Sequence, residues 1–202
     1  MQINIDKKTG SLLGIIVILI AVIVGISYNN NHMSGMHGDE EMGMQSNSSS
    51  SDFTGADVMF LQMMIPHHQQ AIDISNLALK TSQDAELIEL AKTIIAAQSS
   101  EITKMKAWLK EAGASGDAGH HMSGMGGMLD EEELSSLTAA SGTEFDILWL
   151  KGMINHHDGA IHMTEMIEDA ENADIKAFGT AIVKDQSAQI TQMNAMLARI
   201  GK

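Results

Sequence analysis

An internal duplication constrains the fold of this 202-residue chain more than any other feature. The pentapeptide HMSGM occurs at residues 32–36 and again at residues 121–125, a separation of 89 residues. Further pairs keep this separation: Thr54/Thr143, Asp57/Asp146, Leu61/Leu150, Met64/Met153, Ile65/Ile154, His67/His156, His68/His157, Ala71/Ala160 and Ile72/Ile161. After the loss of one residue the pairs become Gln98/Gln186, Ser99/Ser187, Ile102/Ile190, Met105/Met193 and Leu109/Leu197. Chance does not produce so many identities in register, so we interpret the chain as two copies of one unit.

Each copy contains two predicted helices with a short connection between them, which indicates an antiparallel hairpin. The four predicted helices span about residues 55–81, 84–112, 143–170 and 173–200. Asp84 and Thr143 are the expected N-cap residues, and Gly113 and Gly201 are the expected helix stops. A lone hairpin cannot bury its apolar faces, whereas two hairpins form an all-α, antiparallel four-helix bundle with a pseudo-two-fold axis.

The N-terminal region predicts a membrane anchor, because residues 12–26 contain no charged or polar side chain. Lys7 and Lys8 precede this stretch, and the next basic residue is Lys80. The positive-inside rule therefore predicts a cytoplasmic segment at 1–10, a transmembrane helix at 11–28 and a remainder outside the cytoplasm, in the periplasm or at the cell exterior. A cleaved signal peptide is the alternative, since an apolar run of this length overlaps the core of such peptides.

The rest of the chain divides by composition into loops and hairpins. Residues 29–52 are rich in Gly, Ser, His and Met, and so is the first part of a linker at 114–142. We expect flexible, solvated loops at 29–51 and at about 114–130. Hairpin repeat 1 is predicted at 53–113 and hairpin repeat 2 at 143–202.

The composition excludes several classes of protein. A net charge of −14 with 12 basic residues leaves no basic stripe that could neutralise nucleic-acid phosphates. The chain has no Cys, so disulfides and thiolate metal sites are both excluded. It has 17 Met. Met inside helices can fill apolar cores, but the Met residues that lie among Gly, Ser and His have no core to fill.

Two His-His pairs fall on predicted inner faces of the bundle, because Met and His at spacings of three and four share one side of a helix. The second helix of each copy carries a stripe of Gln and Met, with one Glu in the first copy. The predicted metal ligands in the bundle are Met63, Met64, His67, His68, Met105, Met153, His156, His157 and Met193. Beside them, Gln98, Glu101, Gln186 and Gln189 are predicted to orient the imidazoles as hydrogen-bond acceptors.

Thioether and imidazole together are the ligands expected for the soft ions Cu(I) and Ag(I). The alternative is that each His pair is a buried, hydrogen-bonded polar group that sets how the two hairpins dock. Pro66 stands where the second copy has Asn155, and it is expected to kink the first helix next to the His pair. The two halves therefore need not be identical.

The loops offer a second kind of candidate metal site, one that is weak and adaptable. Its residues are His32, Met33, Met36, His37, Met42, Met44, His120, His121, Met122, Met125 and Met128. The alternative is a flexible tether of incidental composition, although Met and His recur in register in both copies. His162 stands where the first copy has Asp73, and it is either an extra ligand beside Asp158 or an exposed helix residue.

The runs MIPHHQQAI at 64–72 and MINHHDGAI at 153–161 resemble the hallmark of the domain-of-unknown-function 305 (DUF305) family. The likeness extends to the Gln, Ile and Met residues of both second helices and covers about residues 53–199. It implies a ferritin-like four-helix bundle, export or membrane attachment, and a role in periplasmic copper binding and resistance. It also implies that the four bundle His and the flanking Met are the ligands. The second copy departs by having Gln189 for Glu101 and Met196 for Trp108, which argues against any role that needs a carboxylate in both halves.

The sequence therefore predicts a membrane-anchored protein outside the cytoplasm that binds Cu(I), or Ag(I), for capture, buffering or resistance. A copper chaperone or exporter is the expected partner. One alternative is an enzyme of the cuprous oxidase type, which would use a similar set of ligands. Di-iron chemistry is not expected, because no Glu-x-x-His motif occurs in the chain. The other alternative is a structural or signalling bundle in which the His pairs are only core polar groups.

Overall fold

The computed structural model describes residues 52–116 and 125–201, and every regular element in these ranges is helical. The elements are α1 (Gly55–Thr81), α2 (Ala85–Glu111), a 3-10 turn (Met125–Gly127), α3 (Glu131–Ala139), α4 (Gly142–Met163) with a 3-10 extension (Thr164–Ile167), and α5 (Ala173–Ile200). The predicted cytoplasmic segment 1–10, the anchor 11–28 and the loop residues 29–51 lie outside the described residues. No helix within the described ranges combines the length and the apolar character that a membrane span requires.

The first hairpin begins and ends where local signals predict. Thr54 caps α1 through a capping box, in which its hydroxyl accepts from Asp57 N and the Asp57 carboxylate accepts from Thr54 N at 2.7 Å. Asp84 caps α2 by accepting from the first free N–H groups of that helix, at 3.1 and 3.0 Å. Gly113 follows the end of α2 with a φ of 68°, as expected for a glycine stop. Helix α1 continues through Pro66 as one helix.

The second copy departs from the prediction at both ends of α4. Thr143 is not the N-cap, because α4 begins at Gly142 and Ser141 takes that position. Gly142 has a φ of 57°, which glycine adopts without steric cost, so the helix starts earlier in the repeat than α1 does. The continuous helix expected to residue 170 is also wrong. At the end of α4 the Thr164 hydroxyl bonds to the Ile161 carbonyl at 2.7 Å and the chain tightens into the 3-10 turn, because such a bond competes with the helical ladder.

The linker is more ordered than a solvated loop, which corrects the expectation for residues 125–130. Leu129 is buried in the core, and the chain then forms α3, which was not predicted. Asp130 caps this helix in a capping box with Glu133, and Leu137 is buried against the bundle. The candidate loop ligands His120, His121 and Met122 lie outside the described residues, and of Met125 only the backbone is described.

The four long helices pack as two hairpins that meet along α1 and α4. Helix α1 packs along α2, helix α4 packs along α5, and α1 contacts α4 directly. Two apolar clusters fill the interior, one around Phe145 and Trp149 and the other around Phe60 and Phe178, and both draw residues from both hairpins. The Trp149 indole N–H donates to the Ile74 carbonyl of α1 at 3.1 Å. The described residues therefore form a helical bundle whose central seam carries both His pairs.

Candidate metal centre

Four histidines lie side by side at the seam between α1 and α4. His67, His68, His156 and His157 all have a fractional exposure of 0%. The rings of His67 and His156 face each other across the seam, with centroids 3.7 Å apart and planes inclined by 37°. Within each pair the ring centroids are 6.3 Å apart. The bundle thus brings together the four residues that the duplicated motif singled out.

Three of these imidazoles are held by an oxygen acceptor at Nε2. His67 Nε2 lies 2.7 Å from Gly126 O, His68 Nε2 lies 2.7 Å from a Glu101 carboxylate oxygen, and His157 Nε2 lies 2.5 Å from Gln189 Oε1. Because each acceptor is an oxygen, Nε2 carries the proton and Nδ1 carries the lone pair. All three Nδ1 atoms are buried, and none has a hydrogen-bond partner among the described residues. The same holds for both ring nitrogens of His156.

The environment keeps His67, His156 and His157 neutral, so each of these three rings retains a lone pair. Burial lowers the pKa of His67 to about 3, although the bond to Gly126 opposes the shift. Burial also lowers the pKa of His157 to about 4, against the effect of Gln189. The pKa of His156 falls well below its usual value, first through burial and then through the neighbouring histidines. Neutral imidazole is the form that binds metal ions.

Four of the predicted thioether ligands are also buried in the bundle, and they belong to two different apolar clusters. Met64, Met105, Met153 and Met193 are all fully buried. Met64 and Met105 of the first hairpin pack in one apolar cluster, and Met153 and Met193 of the second hairpin pack in the other. The predicted gathering of all four Met around the axis stays a prediction. Met63 is only half-buried, at the edge of the first of these clusters.

Comparison with the profiles of protein families identifies the family. The profile of the family described as "Domain of unknown function (DUF305)" matches residues 57–197. The chain belongs to the DUF305 family. Among curated proteins, none matches this chain significantly.

Solved structures of DUF305 proteins share the fold. A DUF305 fragment from Deinococcus radiodurans is 30% identical, with a TM-score of 0.68 over 72% of this chain and 97% of that chain. A DUF305 protein from Streptomyces coelicolor is 28% identical, with a TM-score of 0.67 over 72% of this chain and 92% of that chain. The protein CopM, solved in a Cu(I)-bound form, is 31% identical, with a TM-score of 0.62 over 73% of this chain and 97% of that chain. CopM has also been solved with Cu(II) and with Ag.

Two of the four residues predicted to orient imidazoles in this DUF305 protein do so. Glu101 and Gln189, which occupy equivalent repeat positions, accept from His68 and His157. The expectation for Gln98 and Gln186 is wrong. Both are buried, and their Oε1 atoms have no hydrogen-bond partner in the described part of the chain. In both hairpins the acceptor lies three residues further along the second helix, at Glu101 and Gln189.

His162 follows the second copy of the DUF305 motif and is exposed, unlike the four buried histidines. Its side chain is 79% exposed and bonds through Nδ1 to Glu165 at 3.1 Å, not to Asp158. Within residues 52–116 and 125–201, no three His, Asp or Glu side chains are arranged to hold a metal ion by themselves.

Met163 lies close to the candidate site, and sequence reasoning missed it. It is 7% exposed, and a Cβ added at Gly126 would lie 3.1 Å from its Sδ and 3.4 Å from His67 Cδ2. The sequence contains a signal for it, because Met163 follows His156 by two helical turns and so lies on the same face of the helix. The first copy has Ile74 at the matching place, so a search for residues shared by both copies passes over it.

Proposed function

We propose that this DUF305 protein binds Cu(I), and Ag(I) in its place, through buried histidine and methionine side chains of the bundle. One observation carries the proposal. Five imidazole nitrogens, namely Nδ1 of His67, His68 and His157 and both nitrogens of His156, are buried without a hydrogen-bond partner among the described residues. Buried polar atoms are nearly always satisfied, because leaving one unpaired costs roughly 1–3 kcal/mol.

A bound metal ion would satisfy the lone pair that each of these four rings carries when neutral; in His156 the other nitrogen then bears the proton. Imidazoles that bind metals commonly donate their other N–H to a carboxylate or a carbonyl, which fixes the tautomer. His67, His68 and His157 each show this arrangement, with Gly126 O, Glu101 and Gln189 as the acceptors. A purely structural histidine would have both nitrogens occupied.

The ligand types favour soft ions. The candidate ligands are neutral nitrogen and thioether sulfur, which select Cu(I) and Ag(I) over Zn²⁺, Mg²⁺ or Ca²⁺. CopM, a relative over nearly its whole length, has been solved with Cu(I), Cu(II) and Ag. We assign the ligands by hairpin, with Met64 and Met105 serving the His67–His68 side and Met153 and Met193 serving the His156–His157 side.

Capture, buffering or resistance outside the cytoplasm is the biological role that we propose. It rests on residues 11–28 as a membrane anchor and on the His- and Met-rich segments as weaker sites that pass metal to a ferritin-like bundle. A copper chaperone or exporter would then be the partner. Fractionation of cells that express the chain with or without residues 1–28 tests the anchor, since only the shortened chain should appear in the soluble fraction.

The decisive experiment is an anaerobic Cu(I) titration of the full chain in detergent against a chromogenic chelator. The variant His67→Gln/His68→Gln/His156→Gln/His157→Gln should lose the tight sites, whereas His162→Gln should keep them, because that histidine is exposed. Met64→Leu/Met153→Leu keeps the core volume and removes two thioethers, so it separates loss of ligands from loss of fold. Circular dichroism checks that each variant is helical.

The outcomes separate the function classes. Tight binding that needs the bundle histidines supports the proposal. Equal binding by the four-histidine variant would assign the metal to the His- and Met-rich segments and leave the His pairs as structural groups. No binding by the wild type would overturn the proposal. Oxygen uptake on addition of Cu(I) would instead indicate a cuprous oxidase.

A further inference from the structure

A short segment of the linker, residues 126–129, packs tightly over the His seam and is here named the clasp. Gly126 and Gly127 adopt φ values of 56° and 74°, in the left-handed region that favours glycine. The backbone of the clasp lies directly on α4. A Cβ added at Gly159 would overlap the Gly126 carbonyl, and a Cβ added at Gly127 would overlap the Asn155 carbonyl.

On its other side the clasp is bonded to α1. The Gln70 side-chain amide makes two hydrogen bonds to one residue: Nε2 donates to Leu129 O at 2.9 Å, and Oε1 accepts from Leu129 N at 2.8 Å. One turn earlier on α1, His67 Nε2 donates to Gly126 O at 2.7 Å. The clasp thus spans the seam, fixed by hydrogen bonds on α1 and by close packing on α4.

Gln70 and Gly159 occupy the same position in the two copies, separated by 89 residues. The long amide in α1 reaches the clasp, and the missing side chain in α4 makes room for it. This use of one repeat position in two ways breaks the symmetry of the seam. His67 has a backbone oxygen at Nε2, whereas the equivalent nitrogen of His156 has no hydrogen-bond partner in the described ranges.

We infer that the clasp is a positioning element for metal binding by His67, and that Gln70 and Gly159 are the positioning residues that hold it. The inference rests on the proposed function. The Gly126 carbonyl keeps the proton of His67 on Nε2, so the lone pair is always on Nδ1 and faces the buried side of the seam. Without the clasp, the neutral ring would divide between two tautomers and two orientations, and only part of the population would be ready to bind.

Two variants test the inference in the full chain. Gln70→Ala removes both bonds to Leu129, and its matched control is Gln69→Ala, an exposed neighbour that bonds only within α1, to Asp73. Gly159→Ala places a methyl group against the Gly126 carbonyl, and its matched control is Gly55→Ala, where an added Cβ meets nothing within 4 Å. Each variant is checked for helix content and cooperative unfolding.

The first measurement is the ¹⁵N spectrum of the histidine side chains in the metal-free protein above pH 7, with the His67 signals assigned through His67→Gln. In the wild type and both controls, His67 should show one tautomer with the proton on Nε2. In Gln70→Ala and Gly159→Ala its nitrogen shifts should move toward the average of two tautomers. Cu(I) affinity at the bundle should fall by about 10- to 100-fold, the effect typical of residues that orient ligands.

The results distinguish the clasp from the proposed function. If the wild type binds Cu(I) at the bundle and both variants keep the single tautomer and the full affinity, the clasp inference is overturned. If the tautomer changes but affinity does not, the positioning role is also overturned. If no bundle binding occurs even in the wild type, the proposed function and the metal role of the clasp fail together, whatever the tautomer shows.

Discussion

Glu101 and Gln189 hold equivalent positions in the two copies and accept the same kind of hydrogen bond, yet one is a carboxylate and the other an amide. The carboxylate forms a charge-assisted bond with His68, which is stronger than a neutral bond and raises electron density at Nδ1. Gln189 provides only a neutral acceptor for His157. At the residue scale, therefore, the first hairpin should hold a metal ion more tightly than the second.

Exchanging the two side chains tests this difference. Glu101→Gln should weaken Cu(I) binding at the first hairpin by roughly tenfold, and Gln189→Glu should strengthen binding at the second by a similar factor. Competitive Cu(I) titration of each variant measures the change. Glu89→Gln on the same helix is the control, since Glu89 is exposed and pairs only with Lys92. Unchanged affinities in both exchanged variants would contradict the argument.

At the scale of elements, the seam between α1 and α4 depends on contacts that local sequence does not encode. Trp149 is fully buried in α4, and its indole N–H bonds to the Ile74 carbonyl of α1. The equivalent residue of the first copy is Phe60, whose ring packs edge-on against Phe178 at 6.5 Å and makes no such bond. One copy therefore supplies a polar link between the hairpins and the other supplies only apolar packing.

Replacing Trp149 by Phe should lower the free energy of unfolding by about 1–3 kcal/mol, because it removes a buried donor and leaves a smaller ring in a packed space. Urea denaturation followed by circular dichroism measures the change. Trp108→Phe is the comparison: Trp108 packs edge-on against Phe178 and under Lys104 near the surface. A loss at Trp149 no larger than that at Trp108 would show that the link to Ile74 contributes little.

At the scale of the whole molecule, the buried histidines make stability depend on pH. The pKa values of His67, His156 and His157 are lowered in the fold. As the pH falls, these histidines therefore bind protons in the unfolded chain before they do so in the folded chain. Their destabilising effect on the fold is absent above about pH 6.5, which is the pKa of a histidine in an unfolded chain. It grows as the pH falls from there toward the folded values of about 4 for His157 and about 3 for His67.

The metal-free protein should accordingly lose stability between pH 7.5 and pH 5.5. Below about pH 6.5 each of these histidines contributes roughly 1.4 kcal/mol per pH unit. Urea denaturation at both pH values measures the loss. His157→Gln should reduce the change in the free energy of unfolding per pH unit by the contribution of one histidine. His162→Gln, at an exposed position, should leave it unchanged. A pH-independent stability over this range would mean that these histidines bind protons in the fold as readily as they do in the unfolded chain.

Metal binding should stabilise the molecule by linkage, because the unfolded chain has no assembled site. At a free Cu(I) or Ag(I) concentration about 100 times the dissociation constant, the expected gain is about 2.7 kcal/mol. Thermal denaturation under anaerobic conditions, with and without Ag(I), measures it as a rise in Tm. The gain should disappear in the four-histidine variant and persist in His162→Gln. An equal rise in both variants would place the stabilising ion outside the seam.

The sequence by itself determined the duplication, the four long helices and the faces that carry the candidate ligands. These features are local: capping by Thr54 and Asp84 acts within one turn, and a period of 3.6 residues places Met64, His67 and His68 on one side of α1. The agreement of α1 and α5 with their predicted bounds follows from such signals.

Only the tertiary structure decided which ring nitrogens are free, which apolar cluster each of the four Met joins and where the clasp lies. His67 and Gly126 are 59 residues apart, and nothing near either residue encodes their bond. The same is true of the Gln70 amide on Leu129. Each of these contacts forms because two elements approach closely across the seam, so its existence depends on the packing of whole helices rather than on any local pattern.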